Sequence, residues 1–294
     1  MAIMTHDNRI LLLGNKGMLG SSFANALLED FITFPRELLN VSQPQQLMNA
    51  VANLTPNIII NCVADTQVDA AEKMPGPAFA VNALLPSLLA QSARLVGALL
   101  VHFSSTGCYG DNVNSPLDPH SDFSSLRPTT VHHKSKFQGE ELVRESGCEH
   151  IILRLGWLYG GETTHRKNFV WARIRDARQK SIMASDPYQL GSPSHVDDVV
   201  KQTLLLIKSG IKGSFNCVST GAVSRYDYTA HILKVAGLST HLTPTRFTRH
   251  APVAFNESAV NEKLSLLGLN IMPEWDISLT NYIRTSSMQE KNLS

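Results

Sequence analysis

An imidazole and an ammonium group lie four residues apart in the segment 130–136, whose sequence is TVHHKSK. On a helix, His132 and Lys136 at this spacing share one face, so their side chains are neighbours. An imidazolium donates a proton, and its unperturbed pKa of about 6.5 lies closer to neutrality than that of a phenol, near 10. The Lys136 cation lowers that pKa, but a neutral imidazole can still donate a hydrogen bond. The pair is therefore a candidate for proton transfer or hydrogen bonding to a ligand.

Three glycines at three-residue spacing follow the first apolar run of the chain. The stretch 9–20 reads RILLLGNKGMLG, and Gly14, Gly17 and Gly20 come after a run short enough for a buried strand. In a dinucleotide site, one glycine bends the chain, a second lets the backbone approach the pyrophosphate, and a third lets the helix pack closely on the strand. The helix N-terminus then offers N–H groups to the phosphates. Such turns also serve packing alone, so the motif by itself leaves both interpretations open.

Apolar segments predict buried strands, and the stretches between them carry helical periodicity. The strand candidates are 10–13, 31–34, 58–62, 99–103 and 151–153. Alternating strands and helices predict an α/β fold, a doubly wound parallel (Rossmann) sheet covered on both faces. Residues 77–97 predict one long helix that ends at Gly97 and is kinked or broken at Pro86.

The regular alternation fades after Trp157. We therefore predict an NAD(P)-binding Rossmann domain in residues 1–155, with a returning segment at about 190–220. Residues 156–294 are predicted to form a smaller, interwoven substrate-binding region. The polar end, 285–294, has little to bury and is expected to be a frayed tail.

Composition indicates a globular enzyme without a nucleic acid or membrane partner. The 294 residues carry 26 Lys and Arg against 25 Asp and Glu, so there is no basic field for a phosphate backbone. No apolar run is expected to approach the roughly 20 residues that span a bilayer, and no secretory signal is seen, so a cytoplasmic location follows by default. Because the cysteines and most histidines lack ligand spacing, no metal is assigned and the cysteines are interpreted as reduced packing residues.

Several motifs lie in an order that is typical of one enzyme family. They are GNKGMLG at 14–20, NCVADTQVDAAE at 61–72, VNA at 81–83, HFSS at 102–105, RLGWLYG at 154–160, KNFV at 167–170 and GSP at 191–193. Together they resemble the dTDP-4-dehydrorhamnose reductase branch of the extended short-chain dehydrogenases. The resemblance runs from about Arg9 to Ile283.

The resemblance implies a reaction. In that family an NADPH hydride goes to the 4-keto carbon of a nucleotide-linked 6-deoxyhexose, while a tyrosine protonates the oxygen and a lysine lowers the pKa of that tyrosine. Ser105 is implied to hydrogen-bond the ketone, and Lys136 to hold the nicotinamide ribose and supply positive charge. His132 occupies the position of the tyrosine, so the acid step either passes to an imidazole or is impaired.

The resemblance also implies two binding surfaces. NADP(H) is expected in preference to NAD(H), because Arg36 suits a ribose 2′-phosphate, although the adjacent Glu37 weakens this preference. The cofactor-binding residues are implied to be Gly14, Gly17, Met18, Leu19, Gly20, Arg36, Asn40, Val41, Cys62, Val63, Ala64, Thr66, Ser104 and Lys136. The substrate-binding residues are implied to be Val68, Ser105, Thr106, Trp157 and Asn168. His133 is interpreted as a solvated neighbour of His132.

Two other hypotheses about function stay open. The missing tyrosine also fits a cofactor-binding regulatory or scaffolding subunit that turns nothing over. A nucleotide-sugar epimerase shares the fold, whereas a dehydratase usually needs an Asp-Glu pair that Thr106 and Gly107 do not provide. A homodimer through the helices at 77–97 and 132–146 is a further expectation.

Overall fold

A parallel sheet with helices on both faces forms the centre of this computed structural model, which describes residues 9–111 and 117–293. In chain order, the helices and strands up to residue 155 are β1 Ile10–Leu13, α1 Met18–Ala26, α2 Pro44–Leu54, β2 Ile58–Asn61, α3 Val68–Lys73, α4 Pro75–Phe79, α5 Leu85–Val96, β3 Leu99–Ser105, α6 Val131–Glu145 and β4 His150–Leu155. They are followed by β5 Trp157–Tyr159, α7 Phe169–Gln179, β6 Ile182–Ser185, β7 Leu190–Gly191, β8 Pro193–His195, α8 Val196–Lys208, β9 Gly213–Cys217, β10 Val223–Ser224, α9 Arg225–Val235, β11 His241–Pro244, α10 Glu262–Leu266 and α11 Trp275–Leu293.

The central sheet has the strand order β1-β2-β3-β4-β9, and all of its pairings are parallel. Its strands read as continuous apolar runs because both faces are covered: all four residues of β1, for example, are buried. One face packs on α1 and α8 through residues such as Phe23 and Val199. The other face packs on α2 and α5 through residues such as Leu47 and Leu89. The predicted doubly wound α/β fold is confirmed.

The strand expected at 31–34 is reduced to a single bridge. Only Ile32 pairs, with Leu11 at the edge of the sheet, and the Ile32 side chain is 41% exposed. An apolar run at an uncovered edge buries too little surface to extend the ladder. That prediction was therefore wrong in extent, although the chain passes where the strand was expected.

The long helix predicted from 77 to 97 is a composite. A π-helical turn, Ala80–Leu84, joins α4 to α5, and α5 ends at Gly97, whose φ of +72° suits a glycine. Pro86 lies in the first turn of α5, directly after the π-helical turn, where its missing N–H is tolerated.

By length and composition alone, the 22 residues Pro75–Val96 are apolar enough to cross a bilayer, and they are the one such stretch in the described part of the chain. The expectation that no segment approaches this length was wrong. Core helices pass the same test, and Leu85, Leu89 and Ala93 of this helix are buried on the central sheet.

A second core lies beside the sheet and is rich in aromatic residues. It joins α7, α9 and α11 around Tyr159, Trp171, Tyr228 and Tyr282. The chain returns from this region to the central sheet through α8 and β9, which pairs with β4. The domain boundary at residue 155 stays a prediction. The prediction of a frayed tail at 285–294 was wrong, because α11 continues to Leu293.

Candidate active site

The glycine turn between β1 and α1 has the geometry of a phosphate cradle. Gly14 has a φ of +77°, and a Cβ at Gly20 would lie 2.0 Å from the Gly14 carbonyl oxygen. Gly17 caps α1 without a side-chain hydrogen bond to the first turn, so the N–H groups of this helix end are not taken by a capping side chain. Such N–H groups, together with the helix dipole, bind phosphate. The turn therefore fits a dinucleotide pyrophosphate.

The two residues that follow Gly17 have different surroundings. Met18 is half-buried and its Cγ lies 3.6 Å from where a Cβ of Gly161 would be. Leu19 is 8% exposed and packs in the core between the sheet and α1. In this conformation, Leu19 can offer a cofactor only its backbone, which narrows its predicted role.

Replacing Gly20 with alanine is predicted to damage the cradle. Because the new methyl group would lie 2.0 Å from the Gly14 carbonyl oxygen, α1 must shift away from the strand. We expect a loss of about 1–3 kcal/mol in the free energy of unfolding and weaker NADPH binding, measured by urea unfolding and fluorescence titration. Gly76→Ala is the matched control, since a Cβ there meets nothing within 4 Å. Equal behaviour of the two variants would contradict the prediction.

The residues predicted to face the adenosine end lie at the surface. Arg36 is exposed in a short 3₁₀ helix, Arg36–Leu39. The Asn40 side-chain oxygen accepts a hydrogen bond from the Ser42 backbone N–H at 3.0 Å, and Val41 packs against the core under α2. An exposed guanidinium is available to a phosphate, whereas the Asn40 oxygen already has a partner.

The loop after β2 lies at the carboxyl end of the sheet, next to the glycine turn. A Cβ at Gly14 would meet Cys62 at 3.0 Å and Val63 at 3.1 Å. Ala64 and Val68 are half-buried, and Thr66 is exposed and accepts a hydrogen bond from Lys167. Burial raises the pKa of the Cys62 thiol, so this side chain is a packing group and not a reactive thiolate. The predicted cofactor residues of this loop are thus brought to one crevice.

The end of β3 carries the predicted hydroxyl groups. The Ser105 Oγ is half-buried and accepts a hydrogen bond from the Gly107 N–H at 3.2 Å. Ser104 is 5% exposed, and Thr106 is 1% exposed with its hydroxyl directed at the Leu155 carbonyl at 3.4 Å. Ser105 is therefore the hydroxyl of this set that is open to a ligand, and Thr106 in this conformation faces the protein.

Lys136 is buried under the end of β3. Its Nζ donates a hydrogen bond to the Phe103 carbonyl at 2.8 Å. Burial lowers its pKa to about 8, with nearby acidic groups acting in the opposite direction. The ammonium form therefore predominates at neutral pH and places a positive charge in an apolar setting, where its field is strong.

His132 is neutral in this site. Burial, the adjacent His133 and Lys136 lower its pKa to about 3, in that order of importance. Its Nδ1 atom is buried and finds no hydrogen-bond partner within the described residues. Thr130 caps α6 by accepting the His133 backbone N–H at 3.0 Å, which places His132 in the first turn, where the helix dipole also disfavours a cation. The imidazole is thus a neutral hydrogen-bonding group.

The residues predicted to bind substrate differ in how accessible their side chains are to a ligand. The Trp157 ring is half-buried, its Nε1 donates to Glu257 at 2.9 Å, and the Arg225 guanidinium lies 3.3 Å from its centroid. Asn168 is fully buried, where it caps α7 and donates to the Gly160 carbonyl at 3.0 Å. Asn168 is thus occupied by the protein in this conformation, which argues against its predicted contact with substrate.

A cavity of about 920 Å³ is lined in part by Arg225, whose guanidinium lies 3.3 Å from the centre of the Trp157 ring. Arginines from separate parts of the chain line it, with two carboxylates at its margin. The charged lining residues are Asp111, Arg173, Asp186, Arg225, Arg246 and Arg249. Planar guanidinium groups suit phosphate oxygens, so the cavity can take a multiply charged anion. No local motif connects these arginines, so the sequence alone does not predict that they share a cavity.

Two further residues of the site were missed or misjudged. His133, expected to be solvated, is 6% exposed, so that expectation was wrong. Its Nδ1 lies 3.0 Å from the Thr130 hydroxyl, and its Nε2 lies 3.8 Å from a carboxylate oxygen of Glu257. Glu257 is itself 7% exposed. The sequence around Glu257 does not indicate its role, because its hydrogen-bond partner Trp157 lies 100 residues away in the chain.

The chain is similar to known proteins over most of its length. The model of the RmlD substrate binding domain family matches residues 8–288. The dTDP-4-dehydrorhamnose reductase of Mycobacterium tuberculosis is 28% identical over 282 residues, which cover 93% of this chain and 91% of that protein. The crystal structure of a dTDP-4-dehydrorhamnose reductase from Clostridium acetobutylicum has a TM-score of 0.88 at 28% identity, covering 94% of this chain and 99% of that one.

A third relative is a complex. The dTDP-4-dehydrorhamnose reductase of Bacillus anthracis, solved with NADP, has a TM-score of 0.87 at 28% identity. The similarity covers 95% of this chain and 99% of that one.

Proposed function

Because the chain belongs to the RmlD substrate binding domain family, we propose that it is an NADPH-dependent reductase of the 4-keto group on a nucleotide-linked deoxysugar. The observation that supports this proposal is that Lys136 donates to the Phe103 carbonyl of β3, the strand that ends at Ser105, and lies close enough to His132 to lower its pKa. The carboxyl ends of the strands border the crevice in which doubly wound folds bind their ligands. The relatives named above are dTDP-4-dehydrorhamnose reductases, and one of them is solved with NADP.

The residues fit NADP(H). The turn formed by Gly14, Gly17 and Gly20 would hold the pyrophosphate, Arg36 the 2′-phosphate, and Lys136 the nicotinamide ribose. Asn40, Val41, Cys62, Val63, Ala64, Thr66 and Ser104 would line the rest of the groove, with Met18 and the Leu19 backbone at the helix end. When bound, the cofactor supplies a hydride.

Ser105 and His132 act on the carbonyl oxygen. Each donates a hydrogen bond to it, and the bonds strengthen as the oxygen gains negative charge. His132 works as a neutral donor, because its pKa of about 3 leaves no imidazolium at physiological pH. Lys136, cationic below its pKa of about 8, adds electrostatic stabilisation of the same charge. The site is thus suited to polarising a ketone without the usual phenol.

The cavity lined in part by Arg225 would take the nucleotide diphosphate. Its arginines would neutralise phosphate charge. Val68 and Ser105 would border the sugar from the side of the sheet. The alternative function, an NADP(H)-binding regulatory subunit without turnover, shares the cofactor groove and differs only in the absence of reduction.

Cofactor titration followed by a turnover assay tests the proposal. NADPH and NADH are first titrated by fluorescence, and a dTDP-4-keto-6-deoxyhexose is then added while the absorbance of the reduced nicotinamide is followed. We expect tighter binding of NADPH than NADH and oxidation that depends on the sugar. Tight NADPH binding without oxidation would refute the reductase and favour the regulatory subunit.

A further inference from the structure

The short helix α3 carries two carboxylates that contact different parts of the molecule. Asp69 and Glu72 are three residues apart, so they are neighbours on the surface of the helix. Oδ1 of Asp69 accepts the Ala251 backbone N–H at 3.1 Å, across 182 residues of sequence. Oε1 of Glu72 accepts the Val131 backbone N–H at 2.7 Å, across 59 residues. One helix therefore contacts both the lining of the cavity and the start of α6.

Glu72 holds the first residue of α6. The N–H groups of a first helical turn have no carbonyl partner within the helix, and Val131 is the first residue of that turn. The half-buried Glu72 side chain accepts the Val131 N–H, and a carboxylate suits the positive end of the helix dipole. Thr130 accepts the N–H of His133. Since His132 lies between Val131 and His133, Glu72 helps to fix the backbone that carries His132.

A buried asparagine ties the loop before α3 to the same helix. Oδ1 of Asn82 accepts the Asp65 backbone N–H at 2.9 Å. Nδ2 of Asn82 donates to the Asp65 carbonyl and to the Ser135 hydroxyl, both at 3.0 Å. Asn82 is fully buried, so water does not compete for these bonds. The loop that leads into α3 is thus fixed to α6 at a second point.

Asp69 holds one wall of the cavity. The segment 246–256 lines this wall without forming a helix or a strand. Asp69 accepts the Ala251 N–H from it and also pairs with Arg249, whose Nη2 lies 2.8 Å from Oδ2 of Asp69. The hydrogen bond from Arg249 lowers the pKa of Asp69 below its ordinary value, so this carboxyl group is ionised at neutral pH. Because Arg249 lines the cavity, Asp69 fixes a guanidinium that suits phosphate.

Two other aspartates hold the ends of the segment 246–256. Asp186 accepts the Phe247 N–H at 3.0 Å, and Asp111 accepts the Phe255 N–H at 3.1 Å. Asp69 holds the middle of the segment, at Ala251. The position of α3 therefore helps to set the shape of this wall.

We propose that α3 holds the segment 246–256 and helix α6 in place relative to each other, with Asp69 as a positioning residue for nucleotide-sugar binding and Glu72 as a positioning residue for the reduction. This inference rests on the proposed function, because it concerns the same substrate and the same helix. Asp69 acts through Arg249, and Glu72 acts through His132.

The sign of a binding change separates positioning from simple charge. Removing a negative charge beside an anion site by itself strengthens anion binding. If Asp69 positions Arg249 and its segment, removing Asp69 weakens binding instead. The side chains of Arg249 and Asp69 are 39% and 51% exposed. Loss of such an exposed pair costs little stability, so the Asp69 variants are expected to fold.

Calorimetric titration with dTDP at pH 7 tests Asp69, on protein saturated with NADPH. We expect Asp69→Ala to raise the Kd for dTDP about tenfold, the usual effect of one lost hydrogen bond. Asp69→Asn keeps an oxygen for the Ala251 N–H and should lie between Asp69→Ala and wild type. Glu149→Gln removes an exposed ion pair with Lys212 just before β4, at the amino end of the sheet, and should bind dTDP as wild type does.

Steady-state kinetics with a dTDP-4-keto-6-deoxyhexose test the division between the two carboxylates. Asp69→Ala should raise KM and leave kcat nearly unchanged. Glu72→Ala should lower kcat about tenfold, because a small displacement of a group at the reacting centre is costly, and should leave the Kd for dTDP unchanged. Glu72→Gln keeps an oxygen for the Val131 N–H and should recover part of the rate. A general loss of structure would change both constants in both variants.

Amide hydrogen exchange measured by mass spectrometry tests both contacts without turnover. In Asp69→Ala we expect faster exchange in the segment 246–256, with α6 unchanged. In Glu72→Ala we expect faster exchange in the first turn of α6, with the segment unchanged. Exchange identical to wild type in either variant would overturn the inference.

The outcomes separate two failures. If the wild-type protein reduces the sugar, then dTDP binding by Asp69→Ala as tight as wild type or tighter, or a wild-type kcat in Glu72→Ala, overturns the inference and leaves the proposed function intact. If the wild-type protein binds dTDP without oxidising NADPH, the proposed reduction is overturned, and weaker binding by Asp69→Ala still supports the positioning role. Absence of both dTDP binding and oxidation overturns both.

Discussion

Replacing His132 with alanine is expected to lower kcat for the sugar-dependent oxidation of NADPH by about 10²–10³-fold, the usual loss when one preorganised hydrogen-bond donor to an oxyanion is removed. The reason is local. His132 is 6% exposed, so water cannot readily replace its N–H, and Ser105 alone would face the developing charge. NADPH binding should change little, because Lys136 and the glycine turn stay in place.

The measurement is kcat at saturating substrate, with NADPH affinity measured in parallel. His132→Gln keeps an N–H donor and should retain more activity than His132→Ala, whereas His231→Ala should behave as wild type. Between pH 5 and 9 the contribution of His132 should be constant, since its pKa of about 3 lies below this window. If His132→Ala reduces the ketone as fast as wild type, the catalytic assignment is wrong.

Replacing Arg154 with leucine is expected to lower the free energy of unfolding by about 3–5 kcal/mol, the effect of breaking a buried ion pair from one side. Arg154 donates to Glu140 through Nε at 3.0 Å and through Nη2 at 2.7 Å, and Glu140 is completely buried. Burial acts to raise the pKa of Glu140, but the hydrogen bonds and charge of Arg154 outweigh it and hold that pKa below its ordinary value. Without Arg154, a buried carboxylate loses its main counter-charge.

Urea unfolding measures this effect. Asp176→Asn is the control, because the Arg173–Asp176 pair, 2.6 Å long, is about one third exposed on each side, and exposed pairs contribute roughly 0–1 kcal/mol. Replacing Glu140 and Arg154 together with leucine should recover part of the loss. Equal unfolding midpoints for Arg154→Leu and Asp176→Asn would contradict the prediction.

The sheet and its helices were predictable because buried parallel strands consist of consecutive apolar residues, which are visible in the sequence. The runs at 10–13 and 58–62 needed only local information, and β1 and β2 lie where they were expected. The edge segment at 31–34 failed because strand formation depends on coverage by other elements, which a run of apolar residues does not report. The glycine turn was predictable because its requirements, a positive φ at Gly14 and a close approach of Gly20 to the Gly14 carbonyl, lie within one short stretch of sequence.

The sequence predicts site residues that belong to local motifs, but it does not predict contacts between residues that are distant in the chain. Motif order and helical spacing predicted Ser105, His132 and Lys136 as site residues, and their roles stay predictions. His133 was misjudged because its burial depends on the missing side chain of Gly107 and on Glu257, neither of which is a neighbour in sequence. The arginines of the cavity were missed for the same reason. Such contacts exist only after folding, so a single sequence holds no local signal for them.

Transfer of deuterium from NADPH labelled at both C4 positions tests the central claim most directly. After turnover with a dTDP-4-keto-6-deoxyhexose, the product is analysed by mass spectrometry and NMR. A reductase must place one deuterium on C4 of the sugar for each NADPH oxidised, with the neighbouring hydroxyl proton derived from solvent. A sugar recovered without deuterium, from protein that binds NADPH tightly, would show that the chain binds the cofactor without reducing this ketone.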